Sequence, residues 1–137
     1  MTVVDASIWV SRLVSRDANH ALSRAWLEGQ ITRGELLVSP AILLPEIAGA
    51  LARRTGLAGV ARRAIEQLLR IPVVRLVPID DRVAREASRL AARLRLRGAD
   101  AVYVAVARLL GLPLVTLDQE QEQRAGGMIT VRQPRPA

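Results

Sequence analysis

The feature that most restricts how this chain can fold is the alternation of short apolar runs with longer amphipathic segments from one end to the other. The runs have the length and the β-branched content of strands, whereas the segments between them show the spacing of helices. Such an alternation favours βαβ units, with parallel strands covered by helices, over separate layers of strands and helices. We expect strands at residues 2–4, 35–38, 73–77, 114–117 and 128–131.

Helical patterns fill the intervals between these strands. We expect helices at residues 7–14, 18–31, 58–70, 81–96 and 100–110. A further helix is expected to start at Ser39 and Pro40, because a capping hydroxyl followed by proline is typical of a helix N-terminus, and Pro45 is then expected to kink it. The segment 100–110 is apolar on almost all sides, which predicts that its helix lies deep in the domain.

The length of the chain and its hydrophobic content predict a single domain. A chain of 137 residues that is 50% hydrophobic can bury one core of its own, and a second domain would not fit. We assign residues 1–131 to this domain and residues 132–137, which include two prolines, to a flexible tail. No apolar run approaches the ~18 residues of a membrane span, and Asp5 interrupts the N-terminal apolar run. We therefore expect a cytoplasmic protein without a membrane segment.

Several residue types are rare or missing, and this excludes whole classes of chemistry. The chain has no cysteine and one histidine, His20, which excludes disulfides, thiol nucleophiles, cysteine-ligated zinc and a two-histidine ribonuclease. All 20 basic residues are arginine. P-loop enzymes, haloacid-dehalogenase phosphatases and response-regulator receivers depend on a lysine, so the chain is none of these α/β proteins.

The net charge of +7 indicates a polyanionic partner. Arginine forms forked hydrogen bonds with phosphate oxygens, and its charge releases counterions from a nucleic-acid backbone. The alternative is that the arginines reflect codon bias and solvated helix faces. Only three aromatic residues, Trp9, Trp26 and Tyr103, are present, which disfavours a platform that stacks bases.

Four acidic residues, Asp5, Glu46, Asp100 and Asp118, each interrupt an otherwise apolar stretch. Asp5 and Asp118 follow expected strands, while the other two lie in or at the start of expected helices. The carboxyl ends of parallel strands share one edge of a sheet, so acids that are distant in sequence can meet there. Clustered carboxylates repel each other unless they bind protons or a cation, and Mg²⁺ or Mn²⁺ prefers oxygen ligands at neutral pH. The pattern therefore predicts a metal site.

Each aspartate of this set could instead cap the helix that follows it. Glu46 is harder to explain in this way, because glutamate is a poor cap and the residues on its helix face, Ile42, Leu43 and Ala50, are apolar. A buried, unpaired carboxylate is costly, so Glu46 needs an arginine, a proton or a metal ion.

Other polar residues near the four acids have less specific patterns. Ser7 and Thr116 each lie two residues from a proposed ligand, where a hydroxyl could bond a carboxylate or a metal-bound water, although Ser7 could equally cap a helix. Asp80 and Asp81 precede an arginine-rich helix, which favours capping. Glu120 could supply an outer ligand, but its polar surroundings are typical of a solvated helix turn.

Four segments carry the acids: Val3-Val4-Asp5-Ala6-Ser7, Leu43-Leu44-Pro45-Glu46-Ile47-Ala48, Gly98-Ala99-Asp100-Ala101 and Leu114-Val115-Thr116-Leu117-Asp118. In order and spacing they resemble the acidic motifs of PIN-domain nucleases, and most closely those of the small VapC-type toxins of bacterial toxin–antitoxin pairs. The resemblance covers nearly the whole chain. It departs after Asp118, where Gln119-Glu120-Gln121-Glu122 replaces the basic or aromatic residue that the family often has there.

The resemblance implies a single-domain α/β fold of Rossmann-like (PIN) type, in which a central parallel sheet of order 3-2-1-4-5 is flanked by helices. It also implies a Mg²⁺- or Mn²⁺-dependent endoribonuclease that forms a homodimer and is blocked by a small antitoxin. By motif matching, the family's catalytic acids correspond to Asp5, Glu46, Asp100 and Asp118, and Thr116 corresponds to the hydroxyl that precedes the last acid.

The leading hypothesis is a metal-dependent endoribonuclease, the toxin of a toxin–antitoxin pair, that hydrolyses RNA phosphodiester bonds. Asp5, Glu46 and Asp100 would bind the ion, with Asp118 as a further ligand or as a residue that orients one. Arginines would hold the RNA backbone without reading sequence, and the candidates are Arg12, Arg16, Arg53, Arg54 and Arg97.

Expectations about partners follow from the same hypothesis. The antitoxin should carry an apolar helix and a basic side chain, arginine above all, that reaches the acids in place of the metal ion. A homodimer is also expected from the many apolar positions on the helices between residues 43 and 69. Two alternatives stay open: a PIN-type RNA-processing or repair nuclease without an antitoxin, and a non-catalytic nucleic-acid-binding α/β module whose acids are helix caps.

Overall fold

The computed structural model describes residues 1–135, and over this range the chain forms five strands and seven helices. In chain order these are β1 (Thr2–Val4), α1 (Ala6–Leu13), α2 (His20–Thr32), β2 (Leu37–Pro40), α3 (Leu43–Thr55), α4 (Ala58–Leu69), β3 (Val74–Val77), α5 (Asp81–Leu94), α6 (Gly98–Leu110), β4 (Leu114–Val115), α7 (Gln119–Ala125) and β5 (Val131–Arg132). Strands and helices alternate along the chain, as the sequence predicts.

The five strands form one parallel sheet of order β3-β2-β1-β4-β5, which confirms the predicted fold class. β1 lies at the centre of the sheet, and its residues Val3 and Val4 have no exposed surface. Neighbouring residues of a strand point to opposite faces, so both faces of the sheet are covered here. This double coverage explains why β1 is a continuous apolar run rather than an alternation of apolar and polar residues.

α6 lies deep in the domain, as its apolar sequence predicts. From Tyr103 to Ala107 each residue is at most 1% exposed. The helix packs against β1, β2 and β4 and against α5 on its other side. Because α6 begins near the carboxyl edge of the sheet, the acid in its first turn, Asp100, is held on a rigid and buried element.

The predicted start of the third helix is wrong. Ser39 and Pro40 extend β2, and the Ser39 hydroxyl donates a 2.6 Å hydrogen bond to the Val4 carbonyl. The hydroxyl that suggested a helix cap therefore fastens β2 to β1. α3 begins after a short turn, so Pro45 lies in its first turn, where a backbone N–H would have no partner within the helix. The kink expected at Pro45 consequently has no cause.

The C-terminal part of the chain also differs in detail from the expected pattern. β4 is shorter than expected, and the solvated helix turn expected after it is α7, a helix of seven residues. β5 includes Arg132, one residue beyond the expected domain boundary. Residues 133–135 form neither helix nor strand, and residues 136 and 137 lie outside the described residues, so the flexible tail stays a prediction.

Within residues 1–135 no helix has both the length and the apolar character needed to cross a bilayer. α5, for example, has 14 residues and an arginine-rich exposed face, whereas a spanning helix needs about 20 apolar residues. The cytoplasmic location stays a prediction.

A buried carboxylate that the sequence analysis did not single out joins α5 to α6. Glu86, on α5, is 6% exposed and accepts hydrogen bonds from Arg89 on the same helix and from Arg108 of α6, the latter at 2.8 Å. These hydrogen bonds hold the pKa of Glu86 below its ordinary value, and the one from Arg89 has the larger effect. The two arginines thus stabilise a carboxylate that burial alone would destabilise.

Replacing Glu86 by glutamine keeps the shape and removes the charge, and we expect it to lower the free energy of unfolding at pH 7 by about 1 kcal/mol. Because folding lowers the pKa of Glu86, its contribution is present above the ordinary glutamate pKa of 4.5 and is lost as the pH falls through the lowered value. Denaturant unfolding of both proteins, once at neutral pH and once well below the ordinary pKa, measures the difference in their free energies of unfolding. This difference should be smaller in acid.

Glu66→Gln is the matched control, because Glu66 is exposed and pairs with Arg62 at 4.0 Å on a single helix. Its effect should be small at either pH. A Glu86→Gln protein as stable as the wild type at neutral pH would show that the ion pairs of Glu86 contribute nothing.

Candidate active site

All four predicted acids line one cleft at the carboxyl edge of the sheet. Asp5 directly follows β1 and Asp118 directly precedes α7, while the other two acids lie in the first turns of α3 and α6. The cleft has a volume of about 730 Å³, and its lining also includes Arg53, Arg54 and Arg97. Negative charge inside the cleft is therefore surrounded by arginine, the side chain suited to phosphate.

Asp5 is the most enclosed of the four acids, with 6% of its surface exposed. Its carboxylate accepts hydrogen bonds from the Ser7 N–H and from the Thr116 hydroxyl, both at 3.1 Å. Burial raises the pKa of Asp5, and the hydrogen bonds from Ser7 and Thr116 oppose this rise. Asp5 is thus both the N-cap of α1 and a group whose charge the protein holds away from water.

Thr116 connects the ends of β1 and β4. Its fully buried hydroxyl donates to Asp5 and accepts a 3.0 Å hydrogen bond from the Asp118 N–H. The Ser7 hydroxyl lies 3.4 Å from that of Thr116 and accepts from the Leu117 N–H at 3.1 Å. Both hydroxyls that the sequence placed near the acids therefore help to fix the position of the Asp5 carboxylate.

Glu46 has a partner that the sequence analysis missed. The hydroxyl of Tyr103, a fully buried residue of α6, donates a 2.6 Å hydrogen bond to the Glu46 carboxylate. Burial raises the pKa of Glu46, the Tyr103 hydrogen bond opposes that rise, and the charges of Asp5 and Asp100 add to it. Burial and the Glu46 carboxylate raise the pKa of Tyr103 in turn, so its hydroxyl keeps its proton.

One signal in the sequence could have identified Tyr103. It lies three residues after Asp100, and residues three apart share one face of a helix. A tyrosine on the buried face that also carries an acid is a candidate partner for another carboxylate. Tyr103 and Glu46 are 57 residues apart in the chain, so the sequence alone does not predict that they are in contact.

Asp100 and Asp118 share a cation supplied by the chain itself. Arg97 lies 3.0 Å from the Asp100 carboxylate through its Nε and 3.6 Å from that of Asp118 through an Nη. Asp118 also caps α7, accepting from the Glu120 N–H at 2.9 Å. Capping is therefore the structural role of Asp5 and Asp118, whereas Asp100 lies inside the first turn of α6 and caps nothing.

The remaining candidates lie outside the cleft. Asp80 caps α5 through the Val83 N–H at 2.9 Å, as its pattern favours. Glu120 is exposed and forms an ion pair with Arg124 on α7. Of the five arginines proposed to bind RNA, Arg12 and Arg16 are absent from the cleft lining, which leaves Arg53, Arg54 and Arg97.

The chemistry of the cleft fits a hard divalent cation. Its acidic and hydroxyl groups are oxygen donors, which Mg²⁺ and Mn²⁺ prefer, and the guanidinium of Arg97 shows that a positive charge is accommodated between two of the carboxylates. As they stand, no three carboxylate or imidazole groups of residues 1–135 are arranged to hold one ion. The donor types therefore suit such an ion, and its binding by three of the acids requires these side chains to rearrange.

A comparison with protein families decides the identity of the fold. The PIN domain matches residues 2–127. The chain belongs to the PIN-domain family. The resemblance of the four acidic segments to PIN domains is thus confirmed over nearly the whole chain, although the match by itself assigns no role to any residue.

Solved structures with the same fold include VapC20 from Mycobacterium tuberculosis, described as a sarcin–ricin loop cleaving toxin (TM-score 0.77, 21% identity, 95% of this chain and 97% of that chain). VapBC2 from Rickettsia felis, bound to a fragment of its promoter DNA, is similar (TM-score 0.72, 12% identity, 96% and 97%). So is a toxin–antitoxin complex from Klebsiella pneumoniae (TM-score 0.68, 18% identity, 100% and 100%). A search of curated protein sequences gives no match.

Tyr103→Phe removes the hydrogen bond to Glu46 while it preserves the ring in the core. Because that hydrogen bond favours the ionised carboxylate, its loss should raise the pKa of Glu46 further in the metal-free protein. Carboxyl-carbon NMR across a pH titration measures the change. The Glu86 carboxyl, whose partners are arginines, serves as an internal control and should titrate as before. An unchanged Glu46 titration would mean that the tyrosine does not stabilise the charge.

Proposed function

We propose that this PIN-domain protein is a metal-dependent endoribonuclease and the toxin of a toxin–antitoxin pair, acting in the cytoplasm. The observation that carries the proposal is the convergence of four acids from four separate segments in one arginine-lined cleft. An acidic cluster inside a protein of net charge +7 is suited to a polyanion that is bound by the surface and cut at the cluster.

In this proposal Asp5, Glu46 and Asp100 hold Mg²⁺ or Mn²⁺, with Asp118 as a further ligand or as a residue that orients one. The ion, when bound, activates water and offsets charge that develops on the phosphate. The Thr116 hydroxyl keeps the Asp5 carboxylate in place, and the Tyr103 hydroxyl does the same for the Glu46 carboxylate. Hydrolysis would leave a 5′-phosphate and a 3′-hydroxyl.

Arg53, Arg54 and Arg97 are the residues that we propose to bind the RNA backbone. All three line the cleft, and each guanidinium can form two hydrogen bonds with a phosphate. Arg54 is anchored by Asp17 at 3.5 Å, which limits its reach. RNA rather than DNA as the substrate is supported by the description of the structurally similar VapC20 toxin as cleaving the sarcin–ricin loop.

The proposed protein partner is an antitoxin with an apolar segment and an arginine that reaches the acids. Support comes from the fold, which is shared with toxin–antitoxin complexes. A small pocket between α1 and α4, of about 130 Å³, offers one place for the apolar segment.

A homodimer is proposed as well, because large apolar side chains are exposed on the helical hairpin of α3 and α4. Leu57, between these helices, is 58% exposed, and Leu69, at the end of α4, is 55% exposed. Apolar surface of this kind is covered in many small proteins by a second copy of the chain.

The nuclease proposal is tested by removing charge without changing shape. Asp5→Asn and Asp100→Asn should each lower cleavage of total cellular RNA by at least about a hundredfold, because a carboxylate ligand is lost. The stabilisation of the folded protein by Mg²⁺, seen as a rise in melting temperature, should shrink in both variants. Incubation with Mg²⁺ and with EDTA, followed by mapping of the cut ends, measures the first effect.

Asp80→Asn is the matched control, because Asp80 caps a helix as Asp5 does but lies outside the cleft. Asparagine caps about as well as aspartate, so this variant should keep both activity and the Mg²⁺ effect. If Asp100→Asn cleaved RNA normally and melted with an unchanged Mg²⁺ shift, the acids would be structural and the nuclease proposal would fail.

Light scattering tests both assemblies. The chain alone should have about twice the monomer mass of 14.9 kDa, and Leu57→Gln should weaken the dimer more than Leu110→Gln, an exposed leucine at the end of α6. Co-expression with the reading frame immediately upstream should give a larger complex and restore growth. A monomer at all concentrations contradicts the dimer, and toxicity despite a stable complex contradicts the antitoxin.

A further inference from the structure

Arg97 occupies a position unlike that of the other arginines of the cleft. It is the residue that precedes α6, its side chain is 79% exposed, and its guanidinium contacts two carboxylates that are 17% and 26% exposed, those of Asp100 and Asp118. A largely exposed side chain thus has its charged end on two carboxylates that are themselves mostly enclosed. Exposure of this degree means that little packing is lost if the guanidinium moves away.

The other two arginines of the cleft do not contact the acids. Arg54 pairs with Asp17, which is not part of the cleft lining, and Arg53 has no acidic partner within 4.0 Å among residues 1–135. Among the described residues, Arg97 is therefore the arginine that pairs with acids of the cleft.

A guanidinium and a divalent ion on the same two carboxylates repel each other, because both are positively charged. Arg97 contacts Oδ2 of Asp100 and Oδ2 of Asp118, so an ion that binds these acids competes with it. Displacement is feasible because exposed ion pairs are weak, and a doubly charged ion attracts the cluster more strongly than one guanidinium.

A second depression adjoins the cleft. It has a volume of about 210 Å³, and its lining contains three arginines, Arg95, Arg97 and Arg124, and three acids, Asp100, Asp118 and Glu120. Arg97 thus borders both spaces. Glu120 in this depression already pairs with Arg124. An Arg97 guanidinium that an ion has displaced from Asp100 and Asp118 therefore finds no free acid there, and a phosphate of the RNA backbone can take their place.

We propose that Arg97 is an exchangeable counterion: it neutralises Asp100 and Asp118 in the metal-free protein and passes to a phosphate of the bound RNA when a divalent ion takes these carboxylates. The proposal rests on the metal-dependent function proposed above. It makes Arg97 a positioning residue for RNA and, at the same time, a competitor of the ion. Metal binding and RNA binding then favour each other, because the ion frees Arg97 for the RNA and the RNA frees the two carboxylates for the ion.

Calorimetric titration with Mn²⁺ alone tests the competition without any RNA. Arg97→Gln should bind Mn²⁺ about three- to tenfold more tightly than the wild type, since two ion pairs no longer have to be broken. Arg97→Lys, which keeps the charge but loses the fork, should lie between the two proteins.

Two control variants separate competition from a general loss of positive charge. Arg85→Gln breaks an exposed ion pair with Asp81 outside the cleft, and Arg53→Gln removes a cleft arginine that does not contact the acids. Both should bind Mn²⁺ as the wild type does. Equal gains in Arg53→Gln and Arg97→Gln, or no gain in Arg97→Gln, would overturn the counterion role and leave the metal site intact. Absence of Mn²⁺ binding in every protein would overturn the metal site itself.

Release of the side chain can be followed by NMR during a titration with diamagnetic Mg²⁺. The Arg97 Nε–H signal, assigned by its absence in Arg97→Gln, should shift as its hydrogen bond with Asp100 is lost. A signal that stays in place while Mg²⁺ binds would show that the ion does not displace the side chain.

Cleavage kinetics test the transfer to phosphate. Arg97→Gln should need less Mn²⁺ for its half-maximal rate, and it should have a KM for RNA at least about threefold higher because a phosphate contact is lost. Arg85→Gln should change neither quantity. An unchanged KM in Arg97→Gln would overturn the transfer to RNA.

Discussion

The pairing of β1 with β4 is the contact on which the cleft depends. The Asp5 N–H donates a 3.0 Å hydrogen bond to the Val115 carbonyl, so the residue that follows β1 lies beside the end of β4. The Thr116 hydroxyl, 111 residues away in the chain, then reaches the Asp5 carboxylate and at the same time accepts from the Asp118 N–H. A shift of this pairing by one residue would turn the side chains of β4 to the opposite face and remove Thr116 from the cleft. The buried apolar residues of both strands fix the register, and the position of the acids follows from it.

Gathering acids at one edge of a sheet is unfavourable unless the fold offsets their repulsion. α1, α6 and α7 all begin at the cleft, and the N-terminal end of a helix carries partial positive charge. Asp5 and Asp118 gain hydrogen bonds as caps, Glu46 gains one from Tyr103, and Arg97 offsets the charge of the remaining acid. The metal-free cleft is thus stabilised by the chain's own groups. Capping and metal binding are therefore compatible roles for the same aspartates, since a capped carboxylate keeps further lone pairs free.

The sequence predicted those parts of the structure that leave a local signal. Apolar runs that end in a carboxylate are visible in the chain, which is why the strands and the acids that meet in the cleft could be located. The signal at Ser39 was equally local and failed, because pairing of β2 with its neighbours overrides a helix-start preference. Contacts such as those of Tyr103 with Glu46 and of Arg108 with Glu86 depend on how helices pack across 57 and 22 residues. No periodicity in the sequence specifies such pairs. For the same reason, only the structure shows which arginine contacts the acids of the cleft.

The arginine content of the chain has a consequence for how the cleft would respond to its ligands. The guanidinium of an arginine keeps its charge at any physiological pH. Competition between Arg97 and a divalent ion for Asp100 and Asp118 is therefore decided by concentration and geometry rather than by protonation. A ligand that draws Arg97 away raises the affinity of the cleft for the ion. By thermodynamic linkage, the ion raises the affinity of the protein for that ligand by the same factor. A basic side chain from a partner acts in the opposite sense, because it takes the carboxylates and repels both cations. In the function proposed here, RNA would thus promote ion binding and an antitoxin would oppose it, through the same two carboxylates.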